Sequence, residues 1–340
     1  MTAETITPQP GPAVPVLRQP RRLSEVAIQV LIMTAVLAVL LGVLRWSNAK
    51  AFEPYNLQTL GRDVAILSLL ALGQAVVLIS GGIDLSVGSV ACFVGLIAIM
   101  LLAPADGRPG WATIDVVPLM LGFATAVGVM HGLLVCLLRL PPFMVTLCSL
   151  LIFRSVARGM TNDTTVAYRD AVVPAFSFLG NGLELSMPLI VMLIVLAALA
   201  FFMHFTVHGR YLYAIGFNLE AARFSGVRIH LLRITAYAIC ALLAGLAGLL
   251  EASKVHSVAP SSAGMTYELY AITAAVLGGC ALRGGYGSLV GAVVGVAVLK
   301  VLEKVIVFVG LRTYYTDAVI GLVLLAAVIA DALVKRRRGS

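Results

Sequence analysis

Charge is scarce in this sequence of 340 residues: Asp, Glu, Lys and Arg make up 12% of it, against 60% hydrophobic residues. Soluble domains carry about 25% charged and about 45–50% apolar residues, so a fold dissolved in water is excluded on both counts. Chemical signatures are missing too. The dipeptide Gly-Lys occurs nowhere, which removes the loop that cradles phosphate in nucleotide hydrolases. There is no HExxH and no GxSxG, and His204 and His208 have Phe-Thr-Val between them with no nearby carboxylate to complete a metal site. Cys92, Cys136, Cys148, Cys240 and Cys280 form no CxxC and lie in or beside apolar runs, where they read as small packing residues. The sequence therefore predicts neither an enzyme nor a metal or cofactor site.

What remains is a series of long apolar runs. A hydrocarbon core of about 30 Å takes about 20 helical residues, so the length leaves room for roughly ten spans and no sizeable soluble domain. The expected class is all-α, a multi-pass protein of the cell inner membrane. Residues 1–22, with Pro8, Pro10, Pro12, Pro15 and Pro20, read as a disordered cytoplasmic tail. A membrane domain follows over 23–334, and 335–340 form a basic cytoplasmic tail. The first run, Leu23 to Leu44, is too long for a signal-peptide core and lacks a small-residue cleavage site, so it reads as an uncleaved span. Further spans are expected over 57–80, 86–103, 116–138, 143–160, 187–207, 231–250, 267–282, 289–309 and 315–334.

The net charge of +8 has a topological reading, not a nucleic-acid one, because basic residues gather on the cytoplasmic side near anionic lipid. Ten spans place Arg139, Arg210, Arg223, Arg228, Arg233 and Arg283 on the same side as the arginines before Leu23 and the run from Lys335 to Arg338. Fewer basic residues fall on the other side, so both termini are expected to be cytoplasmic.

Polar interruptions mark the candidate functional residues. Between the second and third spans stands SGGIDLSVGS, Ser80 to Ser89. Non-helical backbone at membrane depth is tolerated where protein buries it or water reaches it, so Gly81, Gly82, Asp84 and Ser86 mark a candidate gate or cavity wall. The same residues also read as a tight turn whose glycines supply positive φ and whose Asp84 or Ser86 caps the next helix, and helix-start logic favours capping. A short helix is expected over Asn218 to Gly226, with Asn218 as N-cap, Glu220 at the positive end, Ala221 and Ala222 as strong formers and Gly226 as terminator. A two-turn helix between spans crosses nothing, and its natural use is to be gripped from outside the membrane.

A second glycine-rich turn, Gly278 to Ser288, continues into Gly287, Gly291 and Gly295, whose spacing of four favours close helix packing. Among charges inside spans, Arg154 and Arg158 are expected to snorkel to the interface. Lys300 and Glu303 form an i,i+3 pair that fits a pathway lining and a buried structural pair equally.

Taken together, SGGIDLSVGSV from Ser80, GLLVCLLRLPPFMVTL from Gly132, GRYLYAIGFNLEAARFSGV from Gly209 and YELYAITAAVLGG followed by RGGYGSLVGAVVG from Tyr267 resemble the membrane-spanning subunit of ATP-binding cassette sugar importers of the ribose, xylose and arabinose type. The resemblance covers about 57–330. It implies a pathway formed by two permease subunits, here a homodimer, with a cytoplasmic ATP-binding subunit that holds the ATP and a periplasmic or surface sugar-binding protein. It also implies that the short helix is the coupling helix, since Glu220, Ala221, Ala222 and Gly226 match the start of the EAA-type signature, although no Ile-x-Leu-Pro follows Gly226. Rival readings are a permease of the same plan for branched-chain amino acids or nucleosides, and an ion-coupled secondary transporter using Glu268, Glu303 or Asp317.

Overall fold

The structure, a computed structural model, describes residues 22–104, 109–169, 171–182 and 186–308, with 310, 315, 318–319, 321–322 and 325 besides. The tail before Arg22, the basic end from Lys335 and most of the expected tenth span lie outside the described residues, as does Asp317.

Twelve described helices follow one another: α1 Arg22–Ser47, α2 Pro54–Ile79, α3 Val87–Leu102, α4 Thr113–Leu137, α5 Pro142–Thr161, α6 Pro174–Asn181, α7 Met187–Phe205, α8 Val207–Phe217, α9 Leu219–Phe224, α10 Ile229–Val255, α11 Tyr267–Leu277 and α12 Leu289–Phe308. The expected all-α membrane class is borne out. Six helices are long and apolar enough to cross a membrane: α1 from Ala27, α2, α4, α5, α7 and α10. The apolar α3 and α11 are shorter, 16 and 11 residues. At about 1.5 Å per residue α11 spans only about half of a bilayer core. It starts from Thr266 in the left-handed region (φ 63°) and stops at Gly278, four residues short of the expected end.

Neither α6 nor the two-residue strands β1 (Val166–Ala167) and β2 (Ser257–Val258) were expected from the sequence. These strands pair antiparallel, Val166 opposite Val258, and tie the segment after α5 to the end of α10. The segment between β2 and α11 is held by Arg154 of α5, and here the expected snorkelling is corrected. Its guanidinium donates to the carbonyls of Pro260 and Ala263 at 2.9 and 2.5 Å. Two backbone carbonyls offer a half-buried cation more than the interface does.

The bundle is built around α2 and α10. Every residue of α2 from Ala65 to Ile79 is buried, and α10 packs against α4, α2 and α3. Small residues set these distances, because lipid tails give apolar faces little reason to associate and close backbone contact supplies the attraction instead. A Cβ on Gly248 of α10 would run into the backbone of Ala91 on α3. The expected role of the glycine series holds as well: Gly291 and Gly295 of α12 lie against the carbonyls of Gly278 and Ala274 at α11. By contrast, α1 is mostly exposed and rests chiefly on α12, where Leu44, Ala51 and Val301 form a small separate cluster.

Candidate functional site

The break after α2 is a built turn. Gly81 takes φ 82° and donates its N–H to Leu78, while Gly82 donates to Val77, so the last carbonyls of α2 are satisfied as in a left-handed helix stop. Ile79 is satisfied from elsewhere: its carbonyl accepts the N–H of Gly285 at 2.9 Å, from the turn between α11 and α12.

Asp84 does the capping work here. One carboxylate oxygen accepts the N–H of Ser86 at 2.8 Å and its hydroxyl at 2.6 Å. Ser86 sits at the N-cap position of α3 but makes no capping bond with its side chain, having turned its hydroxyl to Asp84. The other carboxylate oxygen, Oδ2, has no hydrogen-bond donor and lies 3.8 Å from Nδ1 of His131 on α4, which is itself without a partner. The opposite ring nitrogen of His131 is 2.7 Å from the hydroxyl of Ser149 on α5. Asp84 and His131 are fully buried and Ser149 is 4% exposed. Four segments, the break, α3, α4 and α5, therefore meet in one polar line inside an apolar bundle. Tyr237 of α10 closes it from the side, its hydroxyl 3.4 Å from the carbonyl of Ile83. Neither His131, Ser149 nor Tyr237 was singled out in the sequence; an ionisable His131 inside an apolar run was the available signal.

The expected short helix is present, but as the second of two. Asn218 caps it as read, its Oδ1 accepting the N–H of Ala221 at 3.0 Å. Ser225 ends it and Gly226 follows with φ 76°. Ahead of it stands α8, where a plain connection was expected, capped by the hydroxyl of Thr206 on Gly209. Glu220 lines a cavity of about 390 Å³ with Arg223, the α4–α5 turn residues Arg139 and Pro141, and His230 and Arg233 at the start of α10. Ala222 is buried beneath α9, whereas Phe224 is 88% exposed.

The structure brings the two glycine-rich breaks and this hairpin together. Gly216, near the end of α8, has the carbonyl of Ile79 and the N–H of Gly285 so close that no Cβ would fit. Gly284 in turn packs on the backbone of Gly81, and Gly285 on Phe217. Both turn glycines have positive φ. Segments far apart in sequence thus touch backbone to backbone beside Asp84.

Lys300 and Glu303 stand apart from this site. They pair within α12 at 2.9 Å, and Lys300 lies 5.5 Å from the ring centre of Tyr270 on α11. Nearby, Lys254 binds Asp63 at 2.5 Å and Glu251 at 3.4 Å, and Lys304 reaches Asp63 at 4.0 Å. Lys254 was expected in a loop, but α10 runs five residues beyond the expected end of its span and carries it into this cluster. Such pairing lowers the cost of each charge. Among the described residues no His, Cys, Asp and Glu group could hold a metal ion.

The family model described as "Branched-chain amino acid transport system / permease component" matches residues 56–328. The chain is 33% identical over 298 residues to the ribose import permease protein of Escherichia coli (strain K12), covering 87% of this chain and 91% of that one. It is 34% identical to the ribose import permease protein of Bacillus subtilis (strain 168), over 87% and 89% of the two chains. The xylose transport system permease protein of Escherichia coli (strain K12) is 30% identical, over 93% and 94%. No solved structure matches. The chain belongs to this family of transport-system permease components.

Proposed function

We propose that this member of the permease family is the membrane-spanning subunit of an ATP-binding cassette importer, translocating a monosaccharide that a separate binding protein delivers. Two copies form the pathway, and a cytoplasmic ATPase subunit supplies the energy. The sugar reading draws its support from the ribose and xylose permeases, which match almost end to end. The family description names branched-chain amino acids instead, and the ligand of the cognate binding protein separates the two.

The observation that carries the mechanism is the contact of Gly216 with Ile79 and Gly285. In this proposal the ATPase grips α9 around Glu220 and Phe224, and α8 is the lever behind it. Where side chains are absent, a shift of α8 has no flexible group to absorb it and passes to the end of α2 and to the α11–α12 turn. Dense packing responds to displacement by switching between arrangements, not by yielding gradually. The Asp84–Ser86 turn would be the part that rearranges, and ATP-driven gripping would bias the pair of subunits between inward and outward access. Lys300 and Glu303, paired with each other in α12, serve as a structural pair and not as a pathway lining.

The decisive experiment uses proteoliposomes. The chain alone should accumulate no sugar against a gradient, and the same vesicles containing the ATPase and loaded with ATP should do so once binding protein is added outside. Uphill uptake by the unaccompanied chain, abolished by an uncoupler, would overturn the proposal in favour of ion-coupled transport.

A further inference from the structure

A groove of about 980 Å³ lies between α1 on one side and the α7–α8 corner with the α11–α12 turn on the other. Its α1 wall runs from Ala27 to Ala38 and is apolar except for Thr34, whose hydroxyl is already bonded to the carbonyl of Val30 at 2.8 Å. At about 1.5 Å per residue this wall is about 17 Å long, close to half of the ~30 Å hydrocarbon core and so to the depth of one leaflet. The Ala27 end is level with the end of α11, because Gln29 donates to the carbonyls of Val276 and Leu277, both at 3.2 Å.

Polar groups line the groove at that same end. Arg210 is exposed there and its guanidinium makes no hydrogen bond or ion pair among the described residues. Ser288 accepts the N–H of Gly291 at 3.0 Å, which leaves its hydroxyl proton to donate. His204, also in the lining, uses one ring nitrogen on the carbonyl of Ala200 at 3.1 Å. No carboxylate is part of the lining. A slot one leaflet deep, apolar along its length and cationic at its mouth, matches one class of molecule: a diacyl lipid with an anionic headgroup.

We propose that this groove binds an anionic glycerophospholipid, its phosphate at Arg210 and Ser288 and its acyl chains along Ala27 to Ala38. The site is independent of the sugar carried. It would seat α1, which otherwise touches the bundle chiefly through α12, against the α7–α8 corner that leads into α9. The residues before Arg22 are a poor occupant, since they bring Arg18 and Arg21 to a site that is already cationic.

The test is native mass spectrometry of the full-length chain, delipidated in detergent and incubated with phosphatidylglycerol or phosphatidylcholine of identical acyl chains. Phosphatidylglycerol should be retained preferentially. Arg210→Gln should lower its retention about fivefold, the equivalent of about 1 kcal/mol for one basic residue at an anionic surface, and leave phosphatidylcholine unchanged. Ala35→Trp should block retention of both lipids by filling the slot. Arg210 is exposed, so an unchanged melting temperature of its variant separates lost binding from lost folding. Equal retention of the two lipids, indifference to Arg210→Gln in a folded variant, or a cross-link from Ala35→Cys to residues 1–21 or to a second copy would each overturn the proposal.

Discussion

Asp84 and His131 face each other across the α2–α3 break with 3.8 Å between Oδ2 and Nδ1, both side chains fully buried and neither of those two atoms hydrogen-bonded. The other carboxylate oxygen holds the start of α3 through Ser86, and the other ring nitrogen holds Ser149 on α5. A change at either residue therefore acts on the turn and on three helices together.

Asp84→Ala is expected to lower the amount of folded permease by more than it alters sugar preference. It removes two hydrogen bonds to Ser86 and leaves that buried N–H and hydroxyl without their acceptor, which costs about 1–3 kcal/mol for each group left unsatisfied. Asp84→Asn keeps an acceptor for Ser86 and should lose less. Membrane protein levels and detergent melting curves measure the first quantity, and competition uptake measures the second; unchanged levels with altered preference would reverse the ordering.

Gly216→Val should cost transport. Its side chain would meet the carbonyl of Ile79 and the N–H of Gly285, so α8 must move off the break. Overpacking of this kind costs about 1–3 kcal/mol, which a protein of this size can survive, while the contact proposed to carry motion is lost. The expected outcome is an inserted permease that still co-purifies with its ATPase but shows much reduced uptake. Wild-type uptake would mean that the lever runs elsewhere.

The parts legible in the sequence were those with a local signature. Apolar runs located the helices, and Asn218 and Gly226 located the ends of α9, because caps and spans are encoded within a few residues of where they act. Asp84 was legible as a cap for the same reason. His131, Ser149 and Arg154 acquire their partners only when α4, α5 and the segment before α11 come together, and that is a property of packing. The meeting of Gly81, Gly216 and Gly284 was likewise hidden: each glycine looked like an ordinary turn or helix residue until its neighbour in space was known.

Arg154→Met should loosen the segment from Ser257 to Thr266 without unfolding the bundle. Two charge-assisted hydrogen bonds to Pro260 and Ala263 disappear, each worth about 1.5–3 kcal/mol. Faster amide exchange confined to this segment is the expected signature. Arg154→Lys keeps the charge but not the planar guanidinium whose Nη1 makes both bonds, so it should fall between the variant and the native protein.

Phe224→Ala provides the sharpest separation of stability from coupling. The ring is 88% exposed at the tip of α9, so its removal should leave the melting temperature within the small range of surface substitutions, about 0.5 kcal/mol. An exposed aromatic on a six-residue helix has no packing role inside this chain, and aromatic anchors dominate the energetics of protein interfaces. If α9 is what the ATPase grips, loss of the ring should weaken co-purification of the ATPase and lower uptake together. Changes at Glu220 and Gly226 should do the same, Gly226 because no other residue holds φ 76° without strain. Full association and full uptake in all three variants would remove α9 from the docking surface, and the cavity between α9 and Arg139 would then be the next place to look.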